Sequence, residues 1–111
     1  MIRNMDVVRE LLLFSEGKSK PDNYNVFRDF TEFFYEEVHY HGVLLNDQGY
    51  ITLFSKSSDG FQIGILTSTG ETVFELIKDP DEWQKIKRMI KEHKLPQTID
   101  SIIKVSNPTM G

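Results

Sequence analysis

The sequence contains no cysteine among its 111 residues. This excludes a disulfide framework and a thiolate-ligated metal site, and it fits a protein of a reducing compartment. Long apolar runs are also absent from the N-terminal segment, where the longest run is Leu11–Phe14. Such a run is too short for a signal peptide or a membrane-spanning helix. We therefore expect a cytoplasmic protein that does not enter a membrane.

Positive charge is scarce, because 13 basic residues face 17 acidic ones and give a formal net charge of −4. Proteins that bind the phosphate backbone of nucleic acids usually have the opposite balance. A local basic face could still bind DNA. The length and the 39% hydrophobic content suit one domain with a modest core over residues 1–111.

Sequence patterns for catalysis are missing as well. The chain has neither the Gly-x-Ser-x-Gly turn of serine hydrolases nor a glycine loop that cradles phosphate. His39 and His41 are two residues apart, and on a helix they would point about 200° from each other, so one ion cannot contact both rings. We therefore predict no enzyme, cofactor, metal or small-molecule substrate, and we expect His41 to be partly buried and hydrogen-bonded.

The first half of the chain contains two predicted helices. Asn4 can cap a helix over Met5–Ser15, whose apolar residues recur at helical spacing. The polar stretch Ser15–Asn23 is typical of a loop. The aromatic-rich stretch Tyr24–Phe34 fits a helix, a strand or both in succession. A second helix is predicted over Tyr35–Asn46, and Gly49 suits the left-handed turn after its end.

A β-hairpin and further helices are predicted in the second half. Tyr50–Phe54 and Phe61–Leu66 alternate as strands do, and residues 55–60 would join them. Thr67 can cap a following helix, and Asp79 can cap another that runs to about Lys94, with Glu82 completing a capping box. A short last helix over Thr98–Val105 would precede a flexible tail at about residues 106–111.

A helix that leads directly into a two-stranded hairpin is the layout of a winged helix, in which the hairpin is the wing. The sequence therefore predicts an α+β fold with a helix-turn-helix-like core, a hairpin wing and C-terminal helices. The wing residues would be Lys56, Ser57, Ser58, Asp59 and Gly60.

The chain also resembles the small winged-helix proteins of bacteria and phages grouped as domain of unknown function 2513. The likeness lies in three stretches of the chain and in the closing segment Thr98–Val105. The residues that carry it are Arg3, Met5, Asp6, Arg9, Leu11 and Leu12; Glu36, Glu37, Tyr40, His41, Leu44, Leu45 and Gly49; and Leu66, Thr67, Gly70, Ile77, Lys78, Asp79 and Trp83. The resemblance implies a winged-helix fold and a phage or mobile-element origin in a bacterial host, and it implies no activity.

Three groups of residues are candidates for an interaction site. The position of a recognition helix would offer Glu36, Glu37, His39, Tyr40 and His41, and Tyr35–Asn46 contains no arginine or lysine. Lys85, Arg88, Lys91 and Lys94 form either a solvated face or a surface for phosphate or an acidic partner. The aromatic residues between Tyr24 and Tyr40 fit either core packing or a contact patch, which a homodimer could use.

These observations favour a non-catalytic winged-helix module that acts through protein–protein contacts. Its partner would be a second copy or a host or phage protein, which it could inhibit. The alternative is a DNA-binding transcriptional regulator of phage or prophage origin, which rests on analogy of fold. Carboxylates on the recognition helix weigh against this alternative, because DNA phosphates would repel them.

Overall fold

The structure is a computed structural model that describes residues 3–25, 35–56 and 60–106. Within these ranges the chain forms five helices and three short strands, which confirms the α+β class. In chain order they are α1 (Met5–Ser15), β1 (Asp22–Asn25), α2 (Tyr35–Asp47), β2 (Phe54–Lys56), β3 (Gly60–Ile63), α3 (Ser68–Ile77), α4 (Pro80–Glu92) and α5 (Ile99–Ser106).

The three strands form one antiparallel sheet in the order β1-β3-β2. Phe61 in the central strand pairs with Tyr24 on one side and with Lys56 on the other. Phe61 and Ile63 are buried while Gln62 between them is exposed, as the alternation of a strand requires. The beginning of Tyr24–Phe34 is therefore strand, and residues 26–34 lie outside the described ranges.

The predicted strand bounds at the hairpin were wrong, because β2 and β3 are short and closer to the turn than expected. Nearer the helices, Ile51 and Leu66 form only an isolated bridge. The Thr52 side chain interrupts regular pairing there, since its hydroxyl accepts a hydrogen bond from the Ile65 N–H at 3.1 Å. Gly64 makes room for that hydroxyl, which a Cβ at this position would strike.

Helix α1 supplies much of the core. Asn4 caps it, since its side-chain oxygen accepts a hydrogen bond from the Asp6 N–H at 3.0 Å. The apolar stripe points inward and joins residues from every other element in one buried cluster. The stripe residues that are fully buried are Met5, Val7, Leu11 and Leu12.

Polar side chains of α1 bond to two further helices. Arg9 donates to the backbone oxygens of Ile77 and Lys78 at the end of α3, at 2.9 Å each. These carbonyls have no partner within their own helix, so the guanidinium satisfies them. Asp6 accepts from the Trp83 indole N–H and from the Lys87 ammonium, both at 3.0 Å. Helix α1 is thereby tied to both α3 and α4.

The start of α3 is fixed against the end of α2. The Thr67 hydroxyl donates to the Gly49 oxygen at 2.6 Å and accepts from the Gly70 N–H at 3.0 Å, so the predicted cap is confirmed and has a second role. Gly70 lies so close to the Tyr50 carbonyl oxygen that a Cβ at this position would overlap it. The segment Leu66-Thr67-x-x-Gly70 is thus a packing motif.

Helix α4 has defined caps at both ends. The Asp79 carboxylate accepts from the N–H groups of Asp81 and Glu82, as predicted. The expected reciprocal bond from the Glu82 carboxylate is replaced by its contact with the Lys85 ammonium at 3.5 Å. At the other end the helix stops at Glu92, two residues earlier than predicted.

The C-terminal cap of α4 places Lys94 in a left-handed conformation, with φ of 55°. The Lys94 N–H bonds to the Lys91 oxygen at 3.2 Å, and the Leu95 N–H bonds to the Ile90 oxygen at 3.0 Å. This is a Schellman motif, whose left-handed position usually holds glycine. The predicted last helix is confirmed as α5, whereas the tail over residues 107–111 lies outside the described ranges.

Replacing Gly70 with alanine is expected to destabilise the protein by about 1–3 kcal/mol, because the added methyl group must displace the Tyr50 carbonyl. Urea unfolding measures the change. The matched control is Glu71→Ala at the adjacent exposed position, which should change stability by less than about 0.5 kcal/mol. Equal stability of Gly70→Ala and the control would contradict the close packing of α3 on Tyr50.

Replacing Lys94 with glycine is expected to stabilise the protein by up to about 1 kcal/mol, because glycine adopts the left-handed conformation without steric strain. The control is Gln84→Gly at an exposed position in the interior of α4, which should destabilise by about 1 kcal/mol through lost helix propensity. Thermal unfolding of both variants measures the two effects. A loss of stability in Lys94→Gly would show that the α4 cap is formed differently.

Candidate interaction surface

His41 is buried in the interface between α1 and α2, with only 1% of its surface exposed. Its Nε2 accepts the Asn4 backbone N–H at 2.7 Å, and its Nδ1 lies 2.7 Å from the Glu37 carbonyl oxygen. A carbonyl oxygen can only accept, so Nδ1 carries the proton and Nε2 does not. His41 is therefore a neutral imidazole with both nitrogens bonded, as predicted, and it is more deeply buried than the partly buried residue that was expected.

Burial lowers the pKa of His41 below its usual 6.5, because the charged ring would lose its hydration. The Arg3 cation acts in the same direction, whereas the Glu37 carbonyl and carboxylate oppose it. Protonation at Nε2 would also place two N–H donors against each other. The interface between α1 and α2 thus depends on a neutral His41.

His39 lies on another side of α2 and faces the sheet. Its ring stacks on Phe61 with ring centres 5.7 Å apart, and it also contacts Tyr35 and Phe54. Phe54 in turn fills the space beside Gly42, where a Cβ would strike its ring. The two imidazoles therefore point to different partners and do not converge on one ion.

The burial of His41 corrects one expectation about the recognition-helix position. As a recognition-helix residue His41 would be accessible to a partner, but it is buried, and His39 is half-buried under the aromatic rings. Glu37 is half-buried on the flank of the helix. Of the predicted residues, Glu36 and Tyr40 lie on the outward side.

The outward side of α2 is a stripe formed by Glu36, Tyr40, Val43 and Asp47, which we call the α2 stripe. Glu36 and Asp47 are exposed, Tyr40 is half-buried and Val43 is 36% exposed. The spacing of three, four and seven residues places them along one face of the helix. The stripe has an apolar centre between two carboxylates and contains no cation.

The predicted basic surface is exposed at all four positions, which are Lys85, Arg88 and Lys91 on α4 and Lys94 just after its end. Lys85 contacts Glu82, whereas the other three make no ion pair with any residue in the described ranges. Lys87 is not part of this surface, because it bonds to Asp6 and its ammonium lies 5.7 Å from the centre of the Trp83 ring.

The predicted wing can be located only at its two ends. Lys56 is exposed, and its ammonium lies 5.9 Å from the centre of the Tyr35 ring on α2. Gly60 is buried at the start of β3. Ser57, Ser58 and Asp59 lie outside the described ranges.

A shallow cleft of ≈ 180 Å³ lies where α1 begins, α2 ends and α5 begins. Burial, followed by the Asp100 carboxylate, raises the pKa of the Tyr50 phenol in it. The cleft is smaller than the roughly 300–1,000 Å³ of common ligand pockets. Its lining residues are Arg3, Gln48, Tyr50, Thr98, Ile99 and Asp100.

Neither a metal-binding cluster nor a membrane-spanning helix occurs in the described residues. No group of three or more His, Asp or Glu side chains is placed to hold a metal ion in residues 3–25, 35–56 and 60–106. In the same ranges, none of the helices combines the length and the apolar character needed to cross a membrane.

Comparison with known proteins assigns a family. The family described as hypothetical protein DUF2513 matches residues 2–96. This chain belongs to that family. An uncharacterized protein of Haemophilus influenzae is 31% identical over 109 residues, which cover 96% of this chain and 92% of the relative. No solved structure matches the chain.

The resemblance to DUF2513 rests largely on residues that stabilise the structure. Arg9 caps α3, Asp6 binds Trp83, and His41 receives the Asn4 N–H. Sequence reasoning missed these contacts, since each joins positions far apart in the chain. The roles of these side chains are structural, which leaves the α2 stripe and the α4 cations as the candidate surface.

The stability of the protein is expected to decrease as the pH falls below about 6.5 because of His41. The lowered pKa means that the unfolded chain binds this proton more tightly than the folded protein does. The stabilisation that depends on the neutral His41 ring is therefore complete above the pKa that this residue has in the unfolded chain. It is lost as the pH falls towards the lower pKa that the residue has in the folded protein. Urea unfolding at pH 8 and pH 5.5 measures it.

The variant His41→Gln should lose most of this pH dependence, because its side chain does not titrate. The control His93→Gln removes an exposed imidazole and leaves the His41 bonds in place, so it should keep the wild-type dependence. Identical pH profiles for His41→Gln and the wild type would refute the role assigned to the buried ring.

Proposed function

We propose that this protein is a non-catalytic winged-helix binding module of the phage or mobile-element type, which acts in the cytoplasm through protein–protein contacts. The observation that carries the proposal is the α2 stripe, where Tyr40 and Val43 lie outward between Glu36 and Asp47. The partner could be a second copy or a host or phage protein whose activity the contact inhibits.

The arrangement of the elements supports the winged-helix assignment. Helix α2 leads into the β2–β3 hairpin after only six intervening residues, 48–53. The first strand pairs with the second arm of the hairpin to give the order β1-β3-β2. In winged helices the corresponding helix is the recognition helix and the hairpin is the wing. By this analogy, the α2 stripe occupies the surface that would face a partner.

The chemistry of the α2 stripe favours a protein over DNA. Base edges in the major groove are read mainly by Arg, Lys, Asn and Gln, and affinity comes from cations on the phosphates. Glu36 and Asp47 would instead be repelled by the phosphates. Aromatic and apolar side chains in the middle of a patch are typical of protein-binding hot spots.

The environments of the two histidines of α2 support a non-catalytic role. Both nitrogens of His41 are bonded to the backbone, so the ring is not available to exchange protons with a substrate. His39 stacks on Phe61 as part of the packing between α2 and the sheet.

A DNA-binding regulator remains the second candidate because of α4. Arg88, Lys91 and Lys94 are exposed and make no ion pair in the described ranges. Such a cluster could neutralise phosphates. The observation against it is the acidic start of the same helix, with Asp79 at the N-cap and Asp81 and Glu82 in the first turn.

The proposal is tested with a photo-activatable aromatic amino acid placed at Val43. It should form a covalent adduct with a protein partner in bacterial host cells, and Glu36→Lys combined with Asp47→Lys should remove the adduct. The control places the same cross-linker at Thr72, which is exposed on α3 and should give no adduct. If Val43 and Thr72 give the same products, the α2 stripe is not a protein-binding surface.

The alternative, a DNA-binding transcriptional regulator, is tested with mixed-sequence duplex DNA at low salt. The proposal predicts no electrophoretic shift at micromolar protein. A shift that falls steeply with salt and is lost in Lys85→Glu combined with Arg88→Glu would favour DNA binding through α4 instead.

A further inference from the structure

We propose that the partner of the α2 stripe is a second copy of this chain, and that the stripe docks on the exposed cations of α4 in that copy. The inference rests on the proposed protein-binding function and names its partner. Its basis is the opposite charge of two exposed helix faces that make no ion pair with each other in the part of the chain that the structure describes.

The exposed faces of α2 and α4 carry charges of opposite sign. Glu36 and Asp47 make no ion pair within the described ranges, and neither do Arg88 and Lys91. A surface that leaves carboxylates unpaired on one helix and cations unpaired on another is complementary to itself. The formal net charge of −4 is small enough that general repulsion between copies does not outweigh such local contacts.

Both helix faces also expose an apolar side chain among their charged ones. Along α2, Glu36 and Asp47 are about 16 Å apart, with Val43 between them. On α4, Met89 lies one turn after Lys85 and next to Arg88 in the sequence. Val43 is 36% exposed and Met89 is 37% exposed. Each face thus has an exposed apolar side chain beside its charged ones.

Bonds within one copy hold α2 and α4 in place, so the contact between their faces forms between copies. Helix α1 bonds to α2 through Asn4 and to α4 through Asp6, so each of the two helices is held by α1. No ion pair joins the α2 stripe to the α4 cations within the described chain. Two copies related by a two-fold axis can form the α2–α4 contact twice, which closes the assembly as a dimer.

The experiment reverses the charges on one face at a time. One variant carries Glu36→Lys and Asp47→Lys, and the other carries Arg88→Glu and Lys91→Glu. All four positions are exposed, and circular dichroism with thermal unfolding verifies that both variants fold. Sedimentation equilibrium at low salt measures the association of each protein alone and of the two variants mixed in equal amounts.

The proposal predicts a wild-type dimer that is weakened by salt. Each variant alone should dissociate at least about tenfold more readily, because like charges then face each other. The equal mixture should recover the dimer, since each variant supplies the face that complements the other. The control Glu16→Lys with Glu71→Lys changes the net charge by the same amount elsewhere and should leave dimerisation unchanged.

Two outcomes would overturn the inference. One is a wild-type protein that stays monomeric at high micromolar concentration and low salt. The other is a dimer that neither charge reversal weakens. In both cases a specific adduct from the cross-linker at Val43 with another protein would leave the proposed function standing, so failure of the dimer and failure of the binding function are distinguishable.

Discussion

The hydrogen bond from the Asn4 N–H to His41 Nε2 is the constraint on which the candidate surface depends. It joins the start of α1 to the middle of α2 at 2.7 Å, and the Glu37 carbonyl holds the opposite nitrogen of the ring at the same distance. A helix with one side fixed in this way cannot rotate about its axis without leaving buried polar groups unpaired. The side of α2 that points away from its buried residues Val38, His41 and Leu45 therefore faces outward, and that side is the α2 stripe.

Side-chain hydrogen bonds also fix the other helices relative to one another. Arg9 satisfies the last carbonyls of α3, Asp6 receives the Trp83 indole, and the Thr67 hydroxyl bridges α2 and α3. Each bond satisfies a group whose burial would otherwise cost free energy. The exposed residues of α2 and α4 are free of such structural roles and can serve recognition.

Local interactions could be predicted from the sequence, and long-range ones could not. The caps at Asn4, Thr67 and Asp79 depend on residues two or three positions away, so their patterns identify them. The extent of the hairpin strands depends on the Thr52 hydroxyl, whose partner Ile65 belongs to the opposite arm. The left-handed cap at Lys94 carries no glycine to mark it.

In the candidate site, too, local features could be predicted from the sequence and long-range contacts could not. The sequence shows that Tyr35–Asn46 contains no arginine or lysine, and the α2 stripe accordingly has no cation. The orientation of His41 is not visible, because the residue that fixes it lies 37 positions earlier in the chain. Periodicity therefore identified α2 as a helix but did not show how deeply His41 is buried or which groups its ring binds.

The most direct measurement of the central claim is a long-range ¹H–¹⁵N correlation NMR spectrum of the imidazole rings at neutral pH. The account predicts that His41 is a neutral tautomer with a protonated Nδ1 and an unprotonated Nε2, fixed in one state. A His41 ring protonated at Nε2, or one that titrates near its usual pKa of 6.5 like a solvated imidazole, would contradict the orientation of α2 and with it the assignment of the outward stripe.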